Sequence, residues 1–218
     1  YRYLKADQIE KVIYCQEHLE ASRELARKSI VLLQNKNETL PLNKSQKVAV
    51  VGPFSNSRDL LGAWQFSNFK EKVPTVLEGL KEKGFNIVGQ EDGSECLKPI
   101  EGGIEKAVAL AKQSDVVVLC IGEESEMSGE AASRLNVTVP EPQFELAKAL
   151  VETGKPVVVV LNNGRPLILK WFHENCAAIV ETWKLGSMAG HAIADVLVGD
   201  YNPSGKLTVT FPEHPGQI

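Results

Sequence analysis

The spacing of apolar positions predicts strands at six places along the chain. The run that begins at Asp115 and is bounded by Gly122, and the run at residues 157–161, are continuously apolar and β-branched. Short runs of this kind are typical of strands buried on both faces of a sheet. Shorter runs predict further strands at residues 47–53, 86–88, 177–182 and 207–211. The last of these alternates apolar and polar side chains, as an edge strand does.

Apolar residues recur at helical spacing between most of these strands. The predicted helices lie at residues 16–29, 75–83, 104–112, 140–152 and 188–198, with a helix or turn at 166–173. Residues 30–33 form a short apolar run that we assign to no element. Alternation of strands and helices predicts an α/β fold: a three-layer sandwich whose six-stranded, mostly parallel sheet has helices on both faces and one antiparallel edge strand.

Composition and charge narrow the class of partner. The hydrophobic share of 43% and charged share of 24% are ordinary for a soluble globular domain. The net charge of −4, with no basic block, argues against nucleic acid as a partner. No apolar run approaches the roughly 18 residues of a membrane span. Cysteine and histidine show no metal-ligand spacing, so we expect no metal site and expect free or buried thiols.

Two common uses of an α/β sheet are disfavoured by its turns. The turn after the first predicted strand, Gly52-Pro-Phe-Ser-Asn-Ser57, is not a dinucleotide fingerprint, and Pro53 removes a backbone N–H that a phosphate would need. The segment Gly186-Ser-Met-Ala-Gly190 places Ser187 where a helix start is the better interpretation than a nucleophile elbow. Because the turn after the first strand lacks a phosphate-binding fingerprint, we expect no cofactor.

An acidic loop follows the central strand that ends at Gly122. It carries four glutamates: Glu123, Glu124, Glu126 and Glu130. Loops at the carboxyl end of a central strand are the usual place for chemistry in open α/β sheets, although a cluster of glutamates is more often a solvated loop. Glu130 stands apart because its neighbours are small, which would let a bulky ligand approach its carboxyl group. A proton-donating carboxylic acid needs that placement.

Several segments, in order, resemble glycoside hydrolase family 3, the β-glucosidase family, and specifically its second, α/β-sandwich domain. The resemblance covers about residues 24–212. The segments are Ala26-Arg-Lys-Ser-Ile-Val-Leu-Leu33, Leu40-Pro-Leu42, Val48-Ala-Val-Val-Gly-Pro53, Leu61-Gly-Ala-Trp64, Ser128-Gly-Glu-Ala-Ala-Ser-Arg134, Asn163-Gly-Arg-Pro166, and Ala192-Ile-Ala-Asp-Val-Leu-Val-Gly-Asp-Tyr-Asn-Pro-Ser-Gly-Lys206.

The resemblance implies a retaining hydrolysis of terminal β-glycosidic bonds, with a β-linked oligosaccharide or glucoside as substrate. In the family, an aspartate on a preceding TIM barrel attacks the anomeric carbon and a glutamate of the sandwich domain protonates the leaving oxygen. That glutamate corresponds to Glu130, and Arg134 corresponds to a basic residue that we expect to orient the loop. The family's usual Gly-x-Asp-Arg is Ala-Ala-Ser-Arg here, a variant that resembles periplasmic bacterial β-glucosidases.

The same resemblance sets the expected domain limits and location. We expect residues 1–23 to be a segment that follows the barrel and residues 24–218 to be the sandwich domain. Because the aspartate lies on the barrel, we expect the 218 residues alone to be inactive. The expected location is periplasmic or secreted, with a cytoplasmic one left open.

Aromatic residues in the loop after the first predicted strand are candidates for sugar contact. Trp64 and Phe66 lie where the family can border the aglycone side of the pocket, although Trp64 could equally pack in the core. Two other function classes stay open: a sandwich domain with only a structural or carbohydrate-binding role, and a flavodoxin-like cofactor domain. A cofactor domain would retain colour or nucleotide on purification.

Overall fold

One sheet of six strands organises the computed structural model, which describes residues 11–65 and 69–217. In these ranges the strand order is β1-β6-β5-β4-β2-β3, and every neighbouring pair is parallel except β1 and β6. The strands are β1 (Val31–Asn35), β2 (Lys47–Val51), β3 (Asn86–Glu91), β4 (Val116–Gly122), β5 (Val157–Asn162) and β6 (Ala178–Glu181).

Helices cover both faces of this sheet, so the predicted three-layer sandwich is confirmed. They are α1 (Gln16–Ser29), α2 (Val76–Glu82), α3 (Gly103–Lys112), α4 (Glu141–Val151), α5 (Lys170–Asn175) and α6 (Ala189–Val198). Apolar residues of α1, α2 and α6 pack on one face, and those of α3, α4 and α5 pack on the other. None of the helices in the described ranges combines the length and apolar character needed to cross a membrane.

The central strands alternate their side chains between two separate cores. On β4, Val116, Val118 and Cys120 face one cluster, while Val117 and Leu119 face the other. Both β4 and β5 are buried along their whole length, which explains why their sequences are continuously apolar. The four cysteines, Cys15, Cys96, Cys120 and Cys176, are free thiols, as expected from their spacing.

The strand predicted at residues 207–211 was wrong. Residues 207–211 form no strand: Leu207 and Val209 are partly exposed, and the ring of Phe211 packs against Trp183, 5.8 Å away between centroids. The edge beside β6 is occupied instead by β1, which corresponds to the short apolar run at residues 30–33 and for which the sequence pattern predicts no strand. Of the three alternating apolar residues only Phe211 packs against a core, so the alternation does not mark a buried strand face here.

The reversed direction of β1 places its first residue, and the end of α1 just before it, at the carboxyl edge of the sheet. Val31, at the beginning of β1, pairs with Glu181, at the end of β6. Ahead of it, α1 is tied to α6 by the buried carboxylate of Asp195, which accepts hydrogen bonds from Arg23 at 2.6 and 2.7 Å. Just before α1, the ring centroid of Tyr14 lies 4.8 Å from that of Phe69, in the loop after β2.

Candidate active site

The loops that leave β2 and β4 meet at the carboxyl edge of the sheet. Gly129 lies so close to the β2 loop that a Cβ atom added to it would be 2.8 Å from the Cβ of Ala63. Beside this contact, Trp64 and Glu130 line a common cavity of about 160 Å³, to which Glu126 also contributes. Two residues that are 66 positions apart in sequence are therefore neighbours in the fold.

Glu130 occupies the exposed tip of the β4 loop. The residue after it, Ala131, has a φ angle of +60°, a left-handed conformation that L-residues other than glycine seldom adopt. Trp64 is 62% exposed, so its ring is not part of the core. Phe66 lies outside the described residues. The structure thus places Glu130 and Trp64 around one cavity, and both residues are exposed.

Below this tip, Glu123 forms a buried ion-pair network. Its side chain is completely inaccessible to solvent. Arg134 donates a short hydrogen bond to one carboxylate oxygen, and the Nε atom of Arg165 lies 3.2 and 3.3 Å from the two oxygens. A buried carboxylate is tolerated only when paired, and here two guanidinium groups pair with it. Arg134, which we expected to orient the loop, therefore contacts the loop through Glu123.

Arg165 also contacts the backbone on both sides of Glu130. Its Nη2 atom donates hydrogen bonds to the carbonyl oxygens of Met127 and of Ala132, the latter at 2.7 Å. The backbone of Arg165 is itself held, because the Nδ2 atom of Asn163 donates to its carbonyl oxygen at 2.7 Å. One side chain of the β5 loop thus spans the turn that carries Glu130.

A second set of polar contacts joins the β2, β4 and β6 loops. Asp59 accepts hydrogen bonds from Ser125, and the side chain of Asn162 donates to the carbonyl oxygens of Asp59 and Glu123 at 3.2 and 3.3 Å. Lys184 donates to the carbonyl oxygen of Glu123 at 2.7 Å. Burial lowers the pKa of Lys184, and the neighbouring carboxylate of Asp59 opposes this shift. These contacts fix the first residues of the acidic loop.

Glu181, at the end of β6, is a buried carboxyl group behind this network. Burial raises its pKa to about 8, against hydrogen bonds from the Trp183 backbone at 2.7 Å and from Asn163 at 3.2 Å. Desolvation of the charged form is the physical cause. Glu181 is completely inaccessible to solvent, so it cannot touch a ligand in this arrangement.

Comparison with known proteins identifies the sandwich. The family model described as "Glycosyl hydrolase family 3 C-terminal domain" matches residues 30–218. The chain belongs to this family. The resemblance that the sequence motifs indicated is confirmed.

Relatives of this family 3 domain are glycoside hydrolases. A periplasmic β-glucosidase of Salmonella typhimurium is 45% identical over 92% of the chain, and a β-xylosidase of Formosa agariphila is 40% identical over 93%. The crystal structure of a β-glucosidase from Listeria innocua in complex with isofagomine superposes on the whole chain with a TM-score of 0.94 and 41% identity. The chain spans 29% of the length of both curated relatives and 30% of the Listeria chain.

Several residues of the candidate site could not be predicted from the sequence. Glu123 had no signal that separated it from its exposed neighbour Glu124, because its partner Arg165 lies 42 positions away. Arg165 was visible as part of the Asn-Gly-Arg-Pro turn, but nothing in that turn indicates what the guanidinium contacts. Asp59 and Lys184 belong to no motif, and only the fold brings them to the acidic loop.

Proposed function

We propose that this domain supplies Glu130 as the general acid/base of a retaining β-glycosidase of the β-glucosidase type. The observation that carries the proposal is the shared cavity of Glu130 and Trp64 at the carboxyl edge of the sheet. An accessible carboxyl group beside an exposed aromatic face suits the hydrolysis of a sugar, since aromatic rings offer an apolar surface to sugar rings. Relatives named as β-glucosidases and β-xylosidases support the same reaction class.

The chemistry requires two carboxyl groups with separate roles. In the first step Glu130 would give its proton to the leaving glycosidic oxygen while a nucleophilic carboxylate attacks the anomeric carbon. In the second step ionised Glu130 would take a proton from water, which releases the sugar. We propose that the nucleophile, about 5 Å from Glu130 in such a mechanism, is an aspartate on a barrel domain of a longer protein. The 218 residues alone are then inactive.

The decisive test uses the full-length protein with 2,4-dinitrophenyl β-glucoside, whose leaving group departs without a proton so that the glycosyl-enzyme intermediate still forms. Replacing Glu130 by Ala should lower kcat by roughly 10²–10⁴-fold, the range typical of general acid–base catalysis. Azide should restore turnover by attacking the glycosyl-enzyme intermediate, with a β-glucosyl azide as the product. Glu126→Ala is the matched control, because Glu126 lines the same cavity and should retain most of the activity. Equal losses in both variants, or no azide rescue of Glu130→Ala, would contradict the proposal.

A second experiment tests whether the nucleophile lies outside this chain. The purified 218-residue chain should not hydrolyse an aryl β-glucoside. Steady hydrolysis that disappears on Glu130→Gln would mean that both carboxyl groups lie within this chain.

Trp64 is proposed to contact the aglycone part of a β-linked oligosaccharide or glucoside, together with Phe66. Its exposure beside Glu130 supports this role. In the full-length protein, Trp64→Ala should raise KM for a disaccharide more than for an aryl glucoside whose leaving group is small. If instead Glu130→Ala left hydrolysis intact while Trp64→Ala abolished sugar binding, a carbohydrate-binding domain would be the better interpretation.

The proposed location is periplasmic or secreted. The support is the periplasmic β-glucosidase of Salmonella typhimurium among the relatives. Fractionation of cells that express the full-length gene from its own start codon tests it, and recovery of the activity in the cytoplasm alone would contradict it.

A further inference from the structure

We propose that Arg165 is a positioning residue for Glu130: its guanidinium group holds both ends of the turn that presents the acid/base carboxyl group. The proposal rests on the proposed function of Glu130. Arg165 itself does not touch the substrate in this role. It acts through the backbone of residues 127–132 and through the buried carboxylate of Glu123.

The first argument is the placement of the two accepting carbonyl groups. Met127 lies three residues before Glu130 and Ala132 lies two residues after it, and both carbonyl oxygens accept hydrogen bonds from Nη2 of Arg165. A planar guanidinium group donates in fixed directions, so binding both oxygens sets their separation. The turn between them then has little freedom to move Glu130 along the cavity.

The second argument is that the guanidinium group is anchored independently of the turn. Its Nε atom faces the carboxylate of Glu123 at 3.2 and 3.3 Å, and that carboxylate directly follows the fully buried strand β4. The β5 loop also fits closely against the turn: a Cβ atom added to Gly164 would lie 2.7 Å from the Cβ of Ser128. Arg165 therefore fixes the position of the turn relative to the sheet.

Lysine cannot reproduce this geometry. Its ammonium group is a single point charge on a flexible stem, without the planar fork that reaches two carbonyl groups and a carboxylate at once. Arg165→Lys therefore keeps the positive charge next to Glu123 and loses the restraint on the turn. A displacement of about 1 Å at a reacting group can reduce a rate on the order of 10²-fold.

Substrates with different leaving groups distinguish a positioning role of Arg165 from a purely structural one. A dinitrophenolate departs without a proton, whereas a sugar or alkyl alcohol needs one from the general acid. The ratio kcat/KM reports the steps up to the departure of the leaving group. For Arg165→Lys in the full-length protein, we expect kcat/KM to fall about 30-fold or more with a disaccharide and about 3-fold or less with 2,4-dinitrophenyl β-glucoside.

The matched control is Arg23→Lys, which alters a bidentate arginine on α1 whose side chain is similarly accessible, 24% against 20%. Its carboxylate partner, Asp195, lies on α6 and not in the loop that carries Glu130. Any loss of activity in Arg23→Lys should therefore be the same for both substrates. Arg165→Gln, which retains an NH₂ donor without the fork, should show the same leaving-group dependence as Arg165→Lys.

The outcomes separate this proposal from the one on which it rests. If Glu130→Ala shows no preference for the activated substrate, the proposed function itself fails. If Glu130→Ala shows that preference and the folded Arg165 variants do not, only the positioning role is overturned. If neither Arg165 variant folds, as judged by cooperative thermal unfolding, Arg165 is a structural residue and the proposal is likewise overturned.

Discussion

Asp59 accepts two hydrogen bonds from Ser125, one from its backbone N–H at 2.8 Å and a short one from its hydroxyl group. Ser125 begins a single 3-10 turn, Ser125–Met127, at the start of the acidic loop, and Asp59 belongs to the loop after β2. The two loops that carry Glu130 and Trp64 are thus joined by a direct polar contact that is half-buried.

The contact between Asp59 and Ser125 should be measurable as a coupling energy. Asp59→Ala leaves the N–H of Ser125 without this acceptor and should lower the free energy of unfolding by about 1–3 kcal/mol. Ser125→Ala removes one of the two bonds and should lower it by about 0.5–1.5 kcal/mol. A double-mutant cycle from urea unfolding should show the double variant to be less destabilised than the sum. Strict additivity would argue against the contact.

The buried charge of Glu123 should be far more important for stability than the charge next to it. Glu123→Gln leaves Arg134 and Arg165 beside a neutral group, and loss of one member of a buried ion pair typically costs about 3–5 kcal/mol. Glu124→Gln changes an exposed carboxylate and should cost less than about 0.5 kcal/mol. Thermal unfolding of the two variants compares them directly, and similar midpoints would show that the network contributes little.

Gly164 and Ser128 should be coupled through their close approach. Gly164→Ala introduces a Cβ atom that would lie 2.7 Å from the Cβ of Ser128, so the β5 loop or the turn must shift. We expect a loss of about 1–3 kcal/mol in the free energy of unfolding, the usual cost of overpacking. Adding Ser128→Gly should recover most of it. Ser128→Gly alone completes the double-mutant cycle, and strictly additive effects of the two substitutions would argue against the coupling.

Glu181 should make the fold less stable as the pH rises. Its pKa is about 8 in the folded state against an ordinary 4.5, so below pH 4.5 both states carry the proton and burial of the carboxyl group has no ionic cost. Between pH 4.5 and 8 the unfolded state loses the proton while the folded state keeps it. The free energy of unfolding therefore falls over that window and this contribution levels off above pH 8.

Replacing Glu181 by Gln should remove this contribution. The difference in free energy of unfolding between wild type and Glu181→Gln should change by about 1–4 kcal/mol between pH 5 and 8, with wild type relatively weaker at high pH. Urea unfolding at several pH values measures it, with the exposed Glu174→Gln as the control. A difference that is constant with pH would place the folded-state pKa near its ordinary value.

The sequence predicted the sheet best where burial leaves no choice of residue. Strands β4 and β5 are buried on both faces, so almost every position is apolar and their positions were evident. The edge strand β1 was missed because it is short, follows a helix directly and pairs irregularly between Leu32 and Gln34. Residues 207–211 have the alternation of a strand, but of their three apolar residues only Phe211 packs, while Leu207 and Val209 are exposed.

The residues of the candidate site also differ in how far the sequence predicts them. The position of Glu130 follows from local features, namely a strand end and small neighbours, and its proximity to Trp64 follows from two parallel strands that end at one edge. The ion pair of Glu123 with Arg165 depends on two loops from different strands meeting, and the side chains that meet share no spacing in the sequence. Contacts of this kind require the folded backbone to be known first.

The reversed strand β1 has a consequence for how longer proteins of this kind are assembled. Because β1 begins at the carboxyl edge and Tyr14 lies against Phe69, a domain joined ahead of residue 11 by a short linker would be held at the edge of the sheet that carries the loops of Glu130 and Trp64. A short tether raises the effective concentration of its partner to the millimolar range without any new contact. A weak interface would then be enough to hold such a domain against the loop that carries Glu130.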